Sequence, residues 1–194
     1  MSELASAASR SLVVDPALLE KYQFSGPRYT SYPTAERFGA DFHPGDWLRQ
    51  LAKRGGAAER TPVSVYVHLP FCDTVCYYCA CNNVVTRERS RAAEYLAYLE
   101  REIVTQRGAL GRDEEVAQLH WGGGTPTFFS VEEMGRLMDL FRRYFAFLPD
   151  GEYSIEIDPR RIAAGTIEQL GRLGFNRLSL GLQDLDPEVQ QKVN

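Results

Sequence analysis

Strand-like and helix-like segments alternate along most of the chain, and this alternation limits the fold more than any other feature. Val63, Val65, Val67 and Leu69 alternate with polar residues, as in a β-strand, whereas the apolar residues that begin at Ala92 recur at helical spacing. Further strands are predicted at 116–120, 153–157 and 177–182, with helices at 92–108, 130–141, 166–173 and from 184 onward. Because strands joined by helices form right-handed crossovers, the sequence predicts an α/β fold with a parallel sheet.

Local signals mark the ends of two of these helices. Ser130 is followed three residues later by Glu133, and Thr166 by Gln169, which is the spacing of a capping box. Gly174 follows the third helix, where glycine commonly ends a helix in the left-handed conformation. These signals predict helix starts at Ser130 and Thr166 and a helix end at Gly174.

Polar residues recur on one face of the predicted sheet. Parallel sheets are usually apolar on both faces because helices cover them. Here one face would carry Tyr66, His68, Ser154, Glu156, Asp158, Arg177, Ser179 and Gln183. This pattern favours a sheet curved into part of a barrel, whose polar side chains converge on the lumen near the carboxyl ends of the strands, where barrel enzymes place their sites.

The chain divides into two regions of different character. Residues 1–60 contain turn formers at Gly26, Pro27, Pro33 and 43–45 and show little apolar periodicity, so they are predicted to form an irregular N-terminal arm. Residues 61–194 hold four β/α units, the last of which stops within a helix. Four strands leave an unclosed barrel with an exposed edge, so we expect a truncated chain that is inactive by itself; a complete four-stranded open sheet is the alternative.

Composition excludes several classes of function. The chain has 194 residues, 44% of them apolar and 25% charged, as in ordinary globular proteins. Its 22 basic and 26 acidic residues give a net charge of −4, which draws it to neither nucleic acid nor anionic lipid. The N-terminus lacks a basic start followed by an apolar stretch, and no apolar run approaches membrane-spanning length. We therefore expect a cytoplasmic monomer without a nucleic-acid or membrane partner.

All four cysteines lie within ten residues, at Cys72, Cys76, Cys79 and Cys81. Disulfides are disfavoured in a reducing cytosol and would strain so short a loop. Structural zinc usually takes two separated pairs of ligands, whereas an iron-sulfur cluster is wide enough to be bound by closely spaced thiolates. The loop therefore favours an iron-sulfur cluster, and a zinc-stabilised binding module remains the alternative.

The spacing Cys72-x-x-x-Cys76-x-x-Cys79 resembles the cluster loop of radical S-adenosylmethionine (SAM) enzymes. The resemblance implies that these three cysteines bind a [4Fe-4S] cluster whose fourth iron is left for SAM, and that Tyr78 lies near the adenine. The glycine-rich turn at 120–127 resembles the motif that holds the methionine amino group in the same family. Residues 61–194 would then be the first four units of a partial (β/α)6 radical SAM barrel.

Further segments resemble one branch of that family, the oxygen-independent coproporphyrinogen III oxidases. They lie at 26–34, 66–72, 155–160 and 178–184, together with the additional Cys81. The resemblance implies anaerobic oxidative decarboxylation of coproporphyrinogen III to protoporphyrinogen IX by a 5′-deoxyadenosyl radical, in haem biosynthesis. A related haem chaperone, which binds haem without decarboxylation, is the alternative; Cys81 and the segment 26–34 speak against it.

The same resemblance implies roles for individual residues. Tyr66, Gly123 and Glu156 would contact the cluster-bound SAM, whereas a second SAM molecule would contact Gly124, Thr125 and Gln183. Cys81 and His68 are candidates for a direct part in catalysis. Arginine accounts for 19 of the 22 basic residues and pairs well with the carboxylates of a porphyrinogen, and Arg28 is the candidate for that contact. An electron donor and an acceptor are required, and the sequence identifies neither.

Overall fold

The computed structural model describes residues 15–23, 34, 37–111 and 114–193, apart from the side chain of Arg161. The chain forms two compact units, Met1–Phe42 and His43–Asn194. In the first unit, helix α1 (Pro16–Tyr22) begins after Asp15, whose carboxylate accepts a hydrogen bond from the Ala17 N–H. Arg28 and the segment 26–33 lie outside the described residues.

The second unit begins earlier than the predicted boundary at residue 60. Helix α2 (Pro44–Gly55) occupies part of the predicted irregular arm, and its N-terminus is capped because the Asp46 carboxylate accepts from the His43 N–H at 2.8 Å. The sequence suggested a turn at Pro44 and Gly45, but proline is equally suited to the first turn of a helix. Residues 43–60 therefore belong to the compact unit that holds the sheet.

The elements that follow α2 alternate as the sequence predicts. They are β1 (Val63–Leu69), β2 (Phe71–Cys72), β3 (Val84–Val85), α3 (Ser90–Leu110), β4 (Glu114–Gly123), α4 (Val131–Tyr144), β5 (Phe145–Ile157), α5 (Thr166–Leu173), β6 (Arg177–Leu180) and α6 (Pro187–Val193). The short strands β2 and β3, which pair with each other, were not predicted. Strands β4 and β5 are longer than predicted, and the pairing between them is irregular between Val116 and Gln118.

The main sheet is parallel, with the strand order β1-β4-β5-β6. The four strands of this sheet thus lie side by side in the order in which they occur in the chain, as in a barrel, whereas a doubly wound sheet reverses its order. This arrangement confirms the predicted α/β class with a parallel sheet. It also places the carboxyl ends of all four strands along one edge.

Both helices begin where the sequence predicts, but only one of the two predicted capping boxes is present. Ser130 caps α4 through the Glu133 N–H, while the Glu133 carboxylate accepts from the Ser130 N–H, so this capping box is confirmed. The box predicted at Thr166 is wrong, because Gly165 is the cap and its carbonyl accepts from the Gln169 N–H. Gly174 ends α5 with a φ of 98°, as predicted.

The apolar core lies on one face of the main sheet, beneath the helices. Its central residues are Val67, Leu69, Leu119, Trp121, Ile155 and Ile157 from the strands and Met134, Leu137, Met138 and Phe141 from α4. Side chains alternate along each strand, so burying this face directs Tyr66, His68, His120 and Glu156 to the other. In the part of the chain that the structure describes, no helix is long and apolar enough to cross a membrane.

Candidate active site at the carboxyl edge of the sheet

The cysteine loop is held at both ends by the small β2 and β3 pair. Cys72 ends β2, and its carbonyl accepts from the Thr86 N–H at 2.9 Å. Within the loop, the Cys79 N–H donates to the Cys76 carbonyl at 3.0 Å and forms a tight turn. All four cysteines are free thiols. The fold thus presents the thiols on one short loop beside the carboxyl edge of the main sheet.

The three predicted cluster ligands each receive a polar contact at sulfur. These contacts run from Thr125 Oγ1 to Cys72 Sγ (3.6 Å), from Arg160 Nη2 to Cys76 Sγ (3.8 Å), and from Cys81 N and Asn83 Nδ2 to Cys79 Sγ (3.4 and 3.6 Å). The hydrogen bond with Cys79 and burial raise the pKa of the Cys81 thiol. Burial also raises the pKa of Cys72, although the contact from Thr125 opposes that effect.

A cavity of about 430 Å³ lies between the cysteine loop and the ends of β4, β5 and β6. Of the predicted site residues that the structure describes, it gathers all except Tyr66 and His68: Cys72, Cys76, Tyr78, Cys79, Cys81, Gly123, Gly124, Thr125, Glu156 and Gln183. These residues are spread over more than 100 positions of sequence. The structure therefore assembles into one cavity most of the groups that the resemblance named.

The glycine-rich turn brings backbone close to its neighbours. Gly123 has a φ of 115°, and a Cβ there would lie 2.6 Å from the His68 ring. A Cβ on Gly124 would lie 2.6 Å from the Pro70 carbonyl. Only glycine fits such positions without displacing its neighbours.

Three backbone amides of the glycine-rich turn donate hydrogen bonds within the protein. The N–H groups of Gly123, Gly124 and Thr125 donate to Glu156 Oε2 (3.2 Å), the Leu69 carbonyl (2.9 Å) and the Phe71 carbonyl (2.8 Å). The turn therefore uses these donors to fix its own position and that of Glu156.

Tyr66 and His68 lie on the open face of β1, next to the cavity. The His68 Nε2 lies 2.8 Å from the Asn82 carbonyl, which only accepts, so this nitrogen carries the proton. Nδ1 then accepts from the Tyr66 hydroxyl at 3.1 Å. His68 thus joins β1 to the residue that follows Cys81, and its direct part in catalysis stays a prediction. Burial, followed by the charges of Glu156 and Cys81, raises the pKa of Tyr66.

His120 is a site residue that sequence reasoning did not assign. Its Nδ1 lies 2.6 Å from Ser154 Oγ, and its Nε2 lies 3.3 Å from Glu156 Oε1. The Tyr66 ring stacks on the His120 ring with centroids 5.8 Å apart. Its position in the strand was the one indication of this role. His120 pairs with Tyr66 and Ser154 in the register of the sheet, so the three side chains lie on the same face.

Asp158 and Arg160 pair with each other, and the sequence analysis gave neither of them a role in the site. They follow β5 directly and line the cavity. Barrel enzymes often carry functional residues directly after a strand, so the position of these two residues was an indication available in the sequence. Burial and the neighbouring Cys76 and Cys79 thiols raise the pKa of Tyr78, whereas Arg160 opposes that rise.

Gln183 lies in the left-handed region of backbone space, with a φ of 67°. This conformation is uncommon for a residue other than glycine, and such strain is found more often at functional sites than elsewhere. Gln183 also lines the cavity, at the end of β6. Its predicted contact with a second SAM molecule stays a prediction.

The arrangement of the thiols suits an iron-sulfur cluster better than a single metal ion. Among the described residues, no group of three or more His, Cys, Asp or Glu side chains is close enough together to hold one metal ion. A cluster is bound by one thiolate on each of several irons and therefore needs thiols spaced around a volume. Cys72, Cys76 and Cys79 border a common cavity in that way.

Comparison with known proteins identifies the class. Residues 66–194 match the family model of the Radical SAM superfamily, which is about two-thirds of the chain. The chain belongs to the radical SAM superfamily. Membership implies a [4Fe-4S] cluster and SAM as cofactors, as the cysteine spacing predicts.

Within this superfamily, the chain is similar to proteins named oxygen-independent coproporphyrinogen III oxidase. It is 51% identical to the one from Salmonella typhimurium over 180 residues, which are 93% of this chain and 38% of that protein. A shorter relative from Mannheimia haemolytica is 48% identical over 148 residues, which are 76% of this chain and 98% of that protein.

A solved structure agrees with the sequence comparisons. The structure of coproporphyrinogen III oxidase from Escherichia coli, described as a radical SAM enzyme, matches with a TM-score of 0.79 and 47% identity. The match covers 92% of this chain and 38% of that one. The chain thus spans about two-fifths of the length of the longer relatives that it matches.

Proposed function

We propose that the chain carries the radical-forming part of an oxygen-independent coproporphyrinogen III oxidase, which converts coproporphyrinogen III to protoporphyrinogen IX in haem biosynthesis. The observation that carries the proposal is the common cavity shared by Cys72, Cys76 and Cys79 with Gly123 and Glu156 from the neighbouring strands. The names of the similar proteins favour the oxidase over the haem chaperone.

Each group of residues has a distinct part in the proposal. Cys72, Cys76 and Cys79 bind the cluster, and the contacts that reach their sulfurs from Thr125, Arg160 and Asn83 orient them. When bound, the cluster and SAM supply the radical chemistry that removes a hydrogen atom from a propionate of the substrate. The remaining groups hold the ligands in place and limit access of water.

Glu156 is suited to bind the first SAM molecule. One of its carboxylate oxygens accepts from the Gly123 N–H at 3.2 Å and the other faces His120 Nε2 at 3.3 Å, which fixes the side chain. A carboxylate oxygen has further lone pairs that accept from an amino group or a ribose hydroxyl. Tyr66, Tyr78 and Gly123 complete this proposed contact, while Gly124, Thr125 and Gln183 contact the second SAM.

The proposed reaction requires two redox partners. For each propionate, removal of one hydrogen atom and loss of carbon dioxide leaves a vinyl group and one electron to be passed on. A donor must therefore supply the electron that starts the reaction, and an acceptor must take the electron that remains. We propose that both are separate from this chain and that the reaction takes place in the cytoplasm with the protein as a monomer.

The cofactor part of the proposal is tested by anaerobic reconstitution of the 194-residue chain with iron and sulfide. We expect an EPR signal typical of a reduced four-iron cluster, and a change in that signal when SAM is added. The Cys76→Ala variant is the matched control and should give no such signal. Incorporation of zinc, or a cluster signal that is indifferent to SAM, would contradict the proposal.

The substrate part is tested separately on the full-length protein, with coproporphyrinogen III, SAM, dithionite as electron donor and an added electron acceptor, under strictly anaerobic conditions. Carbon dioxide and protoporphyrinogen IX are the expected products, and omission of SAM is the control. Titration with haem examines the chaperone alternative. Tight haem binding without decarboxylation would replace the oxidase by that alternative.

A further inference from the structure

Arg160 is the one basic side chain among the described residues that line the cavity, where Glu156 and Asp158 supply negative charge. Its Nη2 lies 3.8 Å from the sulfur of Cys76. The two residues are 84 positions apart in the sequence, so the contact is made by the fold. A positive group therefore stands directly beside one of the three thiols that the proposed cluster uses.

Asp158 fixes the position of this guanidinium. Arg160 Nε and Nη2 donate to the two oxygens of Asp158 at 2.9 and 2.8 Å, and the Arg160 backbone N–H donates to Asp158 Oδ1 at 3.0 Å. The Asp158 side chain is only 15% exposed, whereas that of Arg160 is 52% exposed. Two parallel bonds to one carboxylate are particular to the planar arginine fork, which lysine does not reproduce.

The guanidinium keeps its charge throughout the physiological range. Arginine is protonated in essentially all proteins, and the hydrogen bond to Asp158 raises the pKa of Arg160 further. The charge beside Cys76 is thus permanent and does not depend on pH. Since Asp158 holds the group in place, its direction toward the sulfur is also constant.

We propose that Arg160 sets the reduction potential of the cluster at the three-cysteine site by holding a fixed positive charge and a hydrogen-bond donor at Cys76 Sγ. Reduction adds one electron to the cluster, with no bond formed or broken, so the reduced state carries one more negative charge. Hydrogen bonds and positive charge near the sulfurs favour the reduced state. Arg160 would thereby ease entry of the electron on which the reaction depends.

The inference rests on the proposed function, because it requires a cluster at Cys72, Cys76 and Cys79. It predicts that Arg160→Gln lowers the equilibrium constant for one-electron reduction at least tenfold, which corresponds to about 59 mV. The equilibrium constant should fall by this much because the substitution removes both the positive charge and the donor beside Cys76 Sγ. Arg160→Lys, which keeps the charge but not the paired contact, should lower the constant less.

The test is an EPR-monitored redox titration of the reconstituted 194-residue chain, with dithionite as the source of electrons. Arg177→Gln is the matched control, since Arg177 pairs with Glu152 at 2.7 Å on the same sheet but does not line the cavity. We expect its potential to equal that of the wild type. An Arg160→Gln potential equal to that of the wild type would overturn the inference.

A second variant covers the case in which Arg160→Gln does not retain iron. Asp158→Asn removes a negative charge but keeps a side-chain oxygen that accepts from Arg160 Nε, so the guanidinium stays beside Cys76 and the potential should rise. An unchanged or lowered potential in Asp158→Asn would then overturn the inference. A wild-type chain that holds no redox-active cluster would instead refute the proposed function, so the two failures are distinguishable.

Discussion

At the scale of single residues, Cys81 differs from the other three cysteines in how its neighbours act on its sulfur. The Cys81 N–H donates to Cys79 Sγ, and the hydrogen bond with Cys79 raises the pKa of the Cys81 thiol. The spacing that resembles the radical SAM cluster loop uses Cys72, Cys76 and Cys79 and leaves Cys81 out, so we assign no iron to Cys81. We predict that Cys81→Ala retains iron and sulfide at the wild-type level, whereas Cys79→Ala loses them.

Iron and sulfide analysis after anaerobic reconstitution checks this prediction. Cys72→Ala and Cys76→Ala should behave like Cys79→Ala, because the proposed cluster uses all three of these thiols. Loss of the cluster in Cys81→Ala, or its retention in any of the other three variants, would show that the ligand assignment is wrong.

Gly123 offers a second test at this scale. Its φ of 115° and a Cβ position 2.6 Å from the His68 ring make any side chain unfavourable. Strain of this kind costs about 1–3 kcal/mol, so Gly123→Ala should lower the free energy of unfolding by about that amount. Urea denaturation measures the effect.

Gly108→Ala is the matched control for that substitution. Gly108 lies within α3, and a Cβ there would meet no atom within 4 Å. Alanine is favoured over glycine in a helix by about 0.5–1 kcal/mol, so this variant should be slightly more stable than the wild type. Equal losses of stability at the two positions would exclude the specific role of Gly123.

The sequence predicts site residues that are close together in the chain better than contacts between distant ones. The spacing of Cys72, Cys76 and Cys79 is readable directly, because all three lie on one loop. The contact between Arg160 and Cys76 depends on β5 ending beside that loop, and no spacing rule contains this information. The contact between His68 and the Asn82 carbonyl is also not predictable from spacing, because it depends on how the chain folds after the cysteine loop.

At the scale of elements, Arg89 connects the cysteine loop to the turn after the glycine-rich motif. Its Nη2 donates to both oxygens of Asp73 at 2.8 and 2.9 Å, and its Nη1 donates to the Phe128 carbonyl at 2.7 Å. Its guanidinium also lies 4.0 Å from the centre of the Phe128 ring. The start of α3 thus ties together the two segments that form opposite sides of the site.

We predict that Arg89→Met loosens the cysteine loop without unfolding the sheet. Iron should pass from the reconstituted variant to a chelator about tenfold faster than from the wild type. The reason is that a hydrogen-bonded ion pair and a carbonyl contact are both lost, which together stabilise the loop by about 1.5 kcal/mol or more. Arg87→Met, an exposed neighbour on the same segment, is the control and should leave the rate unchanged. Equal rates in the two variants would refute the role of Arg89.

The attachment of α2 to the start of β4 depends on a buried carboxylate. Glu114 is 1% exposed, and its two oxygens pair with Arg54, at 2.9 Å, and with Arg60. Removing one member of a buried ion pair costs about 3–5 kcal/mol, so Glu114→Gln should lower the free energy of unfolding by that order. The exposed neighbour Glu115, changed to Gln, should leave the urea midpoint within about 0.5 kcal/mol of the wild type. Equal effects at the two sites would contradict this reading of the ion pair.

Elements with strong periodicity were predicted well, and those held by tertiary contacts were not. The apolar stripe of α4 and its Ser130 cap are local signals and gave the correct helix start. Helix α2 has only Leu51 buried, and it is stabilised by its cap and by contacts such as Arg54 with Glu114. The strands β2 and β3 are two residues each, too short to show an alternation.

At the scale of the whole molecule, the alternation of side chains along each strand explains why the site lies where it does. The helices bury one face of the sheet, so Tyr66, His120 and Glu156 must occupy the other. The sequential strand order then brings the loops that follow β4, β5 and β6 to one edge, beside the cysteine loop. The polar face and its edge were predictable from the alternation of side chains alone. The cavity that they form was not predictable in this way, because it depends on the register of the strands.

Because the cavity joins the ends of several strands, ligand binding there should stabilise the second unit as a whole. A ligand that binds only the folded state adds about 2.7 kcal/mol to the free energy of unfolding at a concentration of 100 times its Kd. We predict an increase of that size when SAM is added to the anaerobically reconstituted chain, measured by urea denaturation. Cys79→Ala, which should lack the cluster that anchors SAM, is the control and should show little increase. An equal increase in both proteins would mean that SAM binds without the cluster, and would contradict the assignment of the cysteine loop as its anchor.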